Sequence, residues 1–333
     1  MRYGRYFWLM TGLTCLMLVL MVFSLRVGHV VIPFAEVAAA LFSGDDGASS
    51  IIVREIRIPR TFLAVFIGAM LAVSGAVLQG LFRNPLAEPG IIGVGAAASL
   101  GAVIAIYSGL SASFFLALPL MAQTGALLAV FVLYQLSGRQ ASTLTLILAG
   151  VALTSMASAV TSLVLNMSAN PYAAMEIVFW MMGSLQDRSM DHVWLSVPFI
   201  IISLLMLFMT AKALYALSLG EDVAQSLGVS LPRTRFLAIV GTALGVGAAT
   251  AVAGMIGFIG LVVPHLLRPL VGHHPVALLP ASALGGACFL LMADIVTRMI
   301  FINRDLKLGV VTALVGAPFF LWLLIKSRRT VWS

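Results

Sequence analysis

The sequence predicts an all-α polytopic membrane protein with about ten transmembrane helices, built as a single transmembrane domain over residues 1–333. Of the 333 residues, 61% are hydrophobic and 9% are charged, and the mean hydropathy is +1.10. Soluble domains carry about 25% charged residues, so the composition excludes that class. The apolar residues form runs that are long enough, or nearly so, to cross a bilayer as helices. The predicted spans are residues 7–26, 48–82, 91–108, 113–136, 141–165, 192–214, 234–253, 256–271, 275–298 and 308–326.

The distribution of basic residues predicts the orientation of these spans. With the N-terminus in the cytosol, the inner loops hold 11 of the 19 Lys and Arg residues but only three of the 12 Asp and Glu residues. Because cytoplasmic loops of membrane proteins carry an excess of Lys and Arg, this bias places both termini in the cytosol.

The first apolar run, residues 7–25, follows Arg2 and Arg5 and imitates a signal peptide. It is too long for the apolar core of such a peptide, and no small-residue cleavage site follows it, so we expect an uncleaved first span. The two cysteines, Cys15 and Cys288, lie inside apolar runs. Their positions argue against a disulfide framework and against a cysteine-based metal site.

Three arginines lead into the second span from the outer side. Arg54, Arg57 and Arg60 are spaced by threes and therefore share one broad face of a helix. Long basic side chains at a membrane interface commonly bind lipid headgroups. They are also suited to bidentate pairing with carboxylates of an acidic outer partner, and the pattern alone leaves both interpretations open.

The second span is rich in small residues, which predicts close packing of its backbone against a neighbouring helix. It runs into a polar break at the inner face, where Asn84, Pro85 and Pro89 prevent the helix from continuing. Turn chemistry alone explains such a break. A polar interruption between two helices at a membrane face is also a place where a pathway can be closed.

The fifth span carries small and polar residues spaced by threes and fours along one face: Gly150, Thr154, Ser158 and Thr161. Helix packing and the lining of a pore account equally well for this stripe. The outer segment that follows, about residues 166–192, is only half apolar, and Met175–Met182 within it is predicted as a re-entrant or interfacial helix that ends at Gly183.

The segment of residues 214–235 is the longest soluble-looking stretch in the second half of the chain. It carries two adjacent acids, Glu221 and Asp222, and Asp222–Leu227 is predicted to form a short helix ended by Gly228, where a residue with positive φ is favoured. A short polar helix between two spans is either a solvated connection or a surface for a soluble partner.

Two further patterns concern the second half of the chain. At an offset of 179 residues, the small residues of the second span recur around the seventh, which predicts an inverted internal repeat in this topology. Asp294 and Arg298 are four residues apart near the outer end of the ninth span, so they are expected to pair.

Several motifs resemble the permease subunits of type II ABC importers for iron–siderophore complexes, haem and cobalamin. They are spread in order over nearly the whole chain. They are Arg57–Arg60, Gln79–Gly80, Arg83–Gly93, Leu148–Ala152, Trp180, Gly183–Leu185, Leu219–Ala224, Leu227–Val229, Gly257–His265, Ala293–Asp294, Gly309–Thr312 and Gly316–Pro318.

The resemblance implies a set of partners and a place in the cell. The expected assembly, in the bacterial inner membrane, holds a second copy of this chain, two ATP-binding cassette subunits, a periplasmic or tethered substrate-binding protein and surrounding lipid, and no nucleic acid. The chain itself is expected to hold no catalytic residue, cofactor or metal. Transferred to this sequence, the family's functional positions are Leu219, Gly220, Glu221, Asp222, Ala224, Leu227 and Gly228 for coupling to the ATPase, Arg57, Arg60 and Arg298 for docking the binding protein, Asn84, Leu86, Ser142 and Thr143 for the inner gate, and Gly150, Thr154, Ser158 and Thr161 for the pathway lining.

The sequence also bears on the competing functions. It contains no G-x-x-x-x-G-K-[ST] phosphate loop, so ATP would have to be hydrolysed by a separate subunit. A secondary transporter or channel normally shows ionisable residues inside its spans, and Asp294 is the main one here. An intramembrane enzyme is disfavoured because the histidines form no H-E-x-x-H motif. Among the cargoes of the family, residues 82–89 and 179–185 most resemble haem permeases, with ferric siderophore or cobalamin as the alternatives.

Overall fold

The computed structural model describes residues 3–42, 47–137, 143–168, 170–300 and 306–331, and this described part of the chain contains helices but no strand. A π-helix covers Ile52–Arg57 and a 3-10 helix covers Pro89–Ile92. The α-helices are α1 (Tyr3–Arg26), α2 (Phe34–Phe42), α3 (Ala48–Ile51), α4 (Ile58–Leu81), α5 (Val94–Tyr107), α6 (Leu110–Ser113), α7 (Ala117–Ser137), α8 (Thr143–Met167), α9 (Pro171–Met181), α10 (Met190–Met209), α11 (Ala211–Leu217), α12 (Glu221–Ser226), α13 (Leu231–Ala253), α14 (Ile259–Leu267), α15 (Pro275–Ile300) and α16 (Leu308–Val331).

The all-α polytopic class is confirmed, but the count of ten spans is not. Within the described ranges, seven helices are long and apolar enough to cross a membrane, and α5 and Leu308–Leu323 of α16 are shorter apolar helices. Every predicted span contains a helix. The eighth, however, contains only the nine residues of α14, about 13.5 Å at the rise of an α-helix, which is less than half of a hydrocarbon core of about 30 Å.

Helix α4 lies at the centre of the molecule because small residues let other backbones approach it. A Cβ atom placed on Gly68 would lie 2.3 Å from the carbonyl oxygen of Gly286 in α15. One placed on Gly75 would lie 1.9 Å from the carbonyl oxygen of Gly260 in α14. These distances exclude any side chain, so the predicted close packing of this span is confirmed.

Contacts at the helix ends show how neighbouring helices run. The C-terminal end of α1 (Ser24), the N-terminal end of α4 (Arg60) and the C-terminal end of α15 (Asp294 and Arg298) meet at one end of the molecule. Helices α1 and α15 therefore run in one direction and α4 runs in the other. At the opposite end, Gly80 of α4 lies against Leu214 of α11. Helices α11 and α12 consequently lie at the end opposite the arginines, as the predicted topology requires.

The chain between α13 and α14 is irregular. Helix α13 ends at Gly254, whose φ is +69°, and Phe258 adopts the left-handed conformation (φ +67°) immediately before α14. At the 179-residue offset, Gly254 corresponds to Gly75, which lies inside α4 and is followed by six more helical residues. The helix ends do not coincide at this offset, and the inverted repeat stays a prediction.

Candidate functional site

A cavity of about 770 Å³ opens beside α8 and α16. Its wall is mostly apolar and comes from helices that are far apart in the sequence. Its lining includes Thr154 and Ser158 of α8, Phe258 of the loop before α14, and Gly309, Ala313 and Pro318 of α16. A wide apolar cavity with few polar groups is the form of a site for a bulky small molecule.

The stripe on α8 divides between this cavity and the protein interior. Thr154 and Ser158 lie on the cavity wall. Gly150 does not, because it packs against the 3-10 helix, where its Cβ would lie 2.1 Å from the carbonyl oxygen of Ile91. Thr161 is buried and is also absent from the wall. Two of the four predicted lining residues therefore face the cavity, and the helix turns the other two towards neighbouring elements.

Glu88 is the one titratable residue on the wall of this cavity, within the part of the chain that the structure describes. It lies in the connection between α4 and α5, outside the membrane-spanning helices. Burial raises the pKa of Glu88 above its ordinary value, because the cavity offers the charged form little water.

The connection after α4 holds two of the predicted gate residues in a compact turn. The side-chain oxygen of Asn84 accepts a hydrogen bond from the backbone N–H of Leu86 at 2.9 Å, and both residues are partly exposed. Helix α8 begins at Thr143, and Ser142 lies outside the described residues. The gating role of all four stays a prediction.

The segment of residues 214–235 contains the short helix that the sequence predicts. Helix α12 ends with Gly228 at φ +82°, and the N–H of Val229 donates to the carbonyl oxygen of Ala224 at 3.0 Å. This is the Schellman arrangement, in which a residue of positive φ ends the helix. At the other end Gly220, at φ +119°, precedes the first residue, Glu221.

The surface of this segment carries both charge and apolar side chains. Val223 and Leu227 are exposed one helical turn apart, and Leu219 is exposed just before α12; these three side chains are the apolar row, while Ala224 is fully buried. Asp222 is exposed beside this row. Glu221 pairs with Arg235 of α13 at 3.2 Å, which ties the helix to the next span. An exposed apolar row with acids at its edge is typical of a surface that binds a soluble partner. That partner surface and its coupling to an ATPase stay predictions.

Three arginines at the opposite end line a small cavity of about 230 Å³. Asp294 is fully buried and lies between two of them, 2.7 Å from Arg60 and 2.8 Å from Arg298. The predicted pair of Asp294 and Arg298 is therefore confirmed. Arg298 also donates to the carbonyl oxygens of Ser24 and Val27 at the end of α1.

Arg57 is held more tightly than the sequence indicates. Only 4% of it is exposed, and its guanidinium donates to the carbonyl oxygens of Leu25, Arg26 and Val30. It therefore ties the chain after α1 to the start of α4. Each predicted docking arginine also has a contact inside the protein, and the docking itself stays a prediction.

The predicted helix of the outer segment, Met175–Met182, is part of α9, which begins four residues earlier at Pro171 and ends at Met181. The end of α9 meets two other helix ends. The N–H of Ser184 donates to the carbonyl oxygen of Ala253 at 2.7 Å, and the N–H of Gly309 donates to that of Gly183 at 3.3 Å. The ends of α9 and α13 and the start of α16 thus join above the cavity. Sequence reasoning missed Glu88 and the contribution of α16, and only the positive φ required at Gly183 gave a local signal.

Comparison with known proteins decides the family. The model of the FecCD transport family matches residues 16–326. The chain belongs to the FecCD transport family. The vitamin B12 import system permease protein BtuC of Citrobacter koseri is 40% identical over 97% of this chain and 95% of its own length. BtuC of Klebsiella pneumoniae is 40% identical over 95% of this chain and 93% of its own. A solved structure, described as an inward-facing conformation of a metal-chelate type ABC transporter, superimposes with a TM-score of 0.85 and 33% identity over 95% of this chain and 98% of that one.

These matches confirm the resemblance to permeases of type II ABC importers. The chain is a multi-pass membrane permease of that class, in which ATP is hydrolysed by a separate subunit. The relatives named for vitamin B12 support the cobalamin alternative, and nothing in them supports the haem cargo that residues 82–89 and 179–185 favour.

Proposed function

We propose that this FecCD-family chain is the permease subunit of an ATP-driven importer that carries cobalamin across the bacterial inner membrane. The observation that carries this proposal is the 40% identity to a vitamin B12 permease over 97% of the chain. The wide, largely apolar cavity is consistent with a corrinoid, because a bulky cargo in transit needs room and weak contacts rather than a tight site.

The proposed assembly is a homodimer with two ATPase subunits and one substrate-binding protein. In such a dimer, the faces of α8 and α16 that border the cavity would be turned towards the second copy. The chain holds no cofactor of its own, and both termini lie in the cytosol. The nucleotide is bound and hydrolysed by the partner subunits.

We place the ATPase contact on the apolar row and the acids of residues 219–228. Leu219, Val223 and Leu227 offer area for burial, and Asp222 offers a charge to basic groups of the partner. Because Glu221 is paired with Arg235, force on α12 would be passed to α13. This is the physical route by which nucleotide-driven movement reaches the spans.

We place the binding-protein contact at the small outer cavity. Arg60 and Arg298 together carry two positive charges against the one of Asp294, so a net positive charge remains for carboxylates of the partner. Arg57 adds a third guanidinium to the cavity wall, although its donors are directed to carbonyl oxygens. Arg60 is the most exposed of the three and is therefore the principal candidate for direct contact.

A cargo competition tests the assignment. The permease is reconstituted in liposomes with its ATPase and binding protein, and ATP-dependent uptake of cyanocobalamin is measured beside that of haemin and a ferric hydroxamate siderophore. We expect uptake of cyanocobalamin, with little uptake of the two iron chelates. Preferential uptake of haemin would restore the cargo favoured by residues 82–89 and 179–185.

A further inference from the structure

Two stacked rings join the segment of residues 214–235 to another part of the chain, at the end opposite the arginines. The ring of Tyr215 in α11 stacks on that of His274, the residue that precedes α15, with centroids 4.4 Å apart and planes inclined by 18°. Tyr215 is 45% exposed and His274 is partly exposed, so the stack lies at the surface. An aromatic pair stabilises one relative orientation beyond the apolar area that it buries. The stack therefore positions α11 relative to the start of α15.

The backbone of His274 is part of the N-terminal end of α15. Its carbonyl oxygen accepts hydrogen bonds from the N–H groups of Ala277 and Leu278, at 3.1 and 2.9 Å, in the first turn of that helix. The ring of the same residue is held by Tyr215. Because His274 is fixed to α15 by its backbone and to α11 by its side chain, a displacement of α11 is passed to the start of α15.

Helix α15 leads from this stack to the charged cluster at the opposite end of the molecule. Asp294 lies 20 residues after His274, which is about 30 Å at the rise of an α-helix. There it pairs with Arg60 and Arg298. Rigid secondary elements are among the structures that carry coupling between distant sites. One helix thus connects the proposed binding-protein contact with the segment proposed to contact the ATPase.

Helix α4 connects the same two ends, but it is held more firmly. Arg60 lies near one end of α4, and Leu214 of α11 packs on Gly80 near the other. Most residues of α4 are buried, whereas α15 also carries exposed apolar side chains, among them Met292 and Met299. Because close-packed interiors resist displacement, a shift of α15 disturbs fewer contacts than a shift of α4. Helix α15 is therefore the better candidate for a moving connection.

We propose that Tyr215 and His274 are positioning residues that couple, through α15, the docking of the binding protein to the state of the ATPase. The proposal rests on the proposed transport function and adds to it two residues outside the predicted coupling and docking sets. Coupling between two sites is reciprocal, so the nucleotide must change the affinity for the binding protein by the same factor by which the binding protein changes the affinity for the nucleotide. This coupling factor can be measured without any cargo.

The test uses the full complex of permease and ATPase in lipid nanodiscs. The dissociation constant of the cargo-free binding protein is measured without nucleotide and with ATP plus vanadate, which traps the nucleotide on the ATPase. The ratio of the two constants is the coupling factor. The rate of ATP hydrolysis without the binding protein is measured on the same samples as a check that each variant is folded and assembled.

The variants separate stacking from other effects of the two residues. His274→Gln and Tyr215→Leu each remove one ring, and a double variant removes both. His274→Phe and Tyr215→Phe keep the rings and are the conservative replacements. His273→Asn is the matched control, because His273 is the exposed neighbour and its φ of +61° suits asparagine.

We expect His274→Gln and Tyr215→Leu each to bring the coupling factor closer to one by roughly two- to tenfold, the effect of losing an aromatic pair. The double variant should lose no more than either single variant, because both changes remove the same contact. The two phenylalanine variants and His273→Asn should keep the factor of the unaltered complex. Hydrolysis without the binding protein should be unchanged in all of them.

Three results would overturn the proposal. A loss of coupling in Tyr215→Leu without one in His274→Gln would mean that Tyr215 acts by another contact, such as the ATPase itself. Additive losses in the double variant would show that the two rings act independently. A coupling factor of one in the unaltered complex would leave nothing for the stack to transmit. If the factor responds as expected but the complex takes up no cyanocobalamin, the proposed cargo is wrong and the role of the stack stands.

Discussion

Replacement of Asp294 by Asn tests the buried charge cluster, and its cost follows from the geometry. Asp294 is 0% exposed and pairs with Arg60 and Arg298, whose side chains are 17% and 9% exposed. Breaking a buried ion pair by removing one partner costs about 3–5 kcal/mol, because the remaining charge is left without compensation. Asparagine keeps one acceptor oxygen, so we expect about 3 kcal/mol. At an unfolding entropy of about 2.1 cal/mol/K per residue, this corresponds for the 333 residues of the chain to a fall in Tm of roughly 4 °C.

The assay is thermal unfolding in detergent, followed by tryptophan fluorescence at one fixed heating rate. The matched control is Asp222→Asn, at an exposed acid on α12, for which we expect a shift within about 2 °C. The double substitution Asp294→Asn with Arg298→Met removes an uncompensated charge and should recover part of the loss. Equal Tm values for Asp294→Asn and Asp222→Asn would refute the view that the cluster stabilises the fold.

Three further predictions concern packing, coupling and docking. Gly75→Ala should lower Tm severely, because its Cβ would lie 1.9 Å from a backbone oxygen of α14, and thermal unfolding measures the effect. Joint replacement of Glu221 and Asp222 by Gln and Asn should leave the spans folded but uncouple ATP hydrolysis from uptake, as measured by the ratio of the two rates in proteoliposomes. Arg60→Gln should weaken capture of the loaded binding protein and reduce the salt dependence of that binding, measured on immobilised permease.

Each of these three predictions has a result that would contradict it, and the packing prediction also has a matched control. Gly12→Ala adds the same methyl group in open space on α1 and should leave Tm unchanged, so an equal effect at both glycines would contradict the packing account. An uptake-to-hydrolysis ratio unaffected by the double substitution on α12 would remove the coupling assignment. Capture that is as strong and as salt-dependent in Arg60→Gln as in the unaltered protein would place docking elsewhere.

Local chemistry explains which features the sequence predicts correctly. Gly228 ends α12 because positive φ favours glycine, and that requirement is independent of tertiary structure. Asp294 and Arg298 pair because they are one helical turn apart. The small residues of α4 predict close packing, although the sequence does not say which backbone approaches them.

The sequence does not predict features that depend on contacts between residues far apart along the chain. Whether Arg57 is exposed depends on where residues 25–30 pass, and only the fold brings their carbonyl oxygens to it. The stripe on α8 defines a face, but the neighbouring 3-10 helix decides that Gly150 is packed and Thr154 is on the cavity wall. Glu88 has no local signal in the sequence, because the cavity on whose wall it lies is completed by distant elements such as the loop before α14. The eighth span is apolar apart from His265 and Arg268, yet the irregular backbone before Ile259 shortens its helix to nine residues.

The most direct test of the central claim is the energy source for cyanocobalamin uptake. The permease is reconstituted with its ATPase and binding protein, and accumulation inside the vesicles is followed with ATP, without ATP, and with ATP plus a proton uncoupler. The account predicts accumulation that requires ATP and the ATPase subunit and is unaffected by the uncoupler. Accumulation against a gradient by the permease alone, driven by protons or sodium, would contradict it.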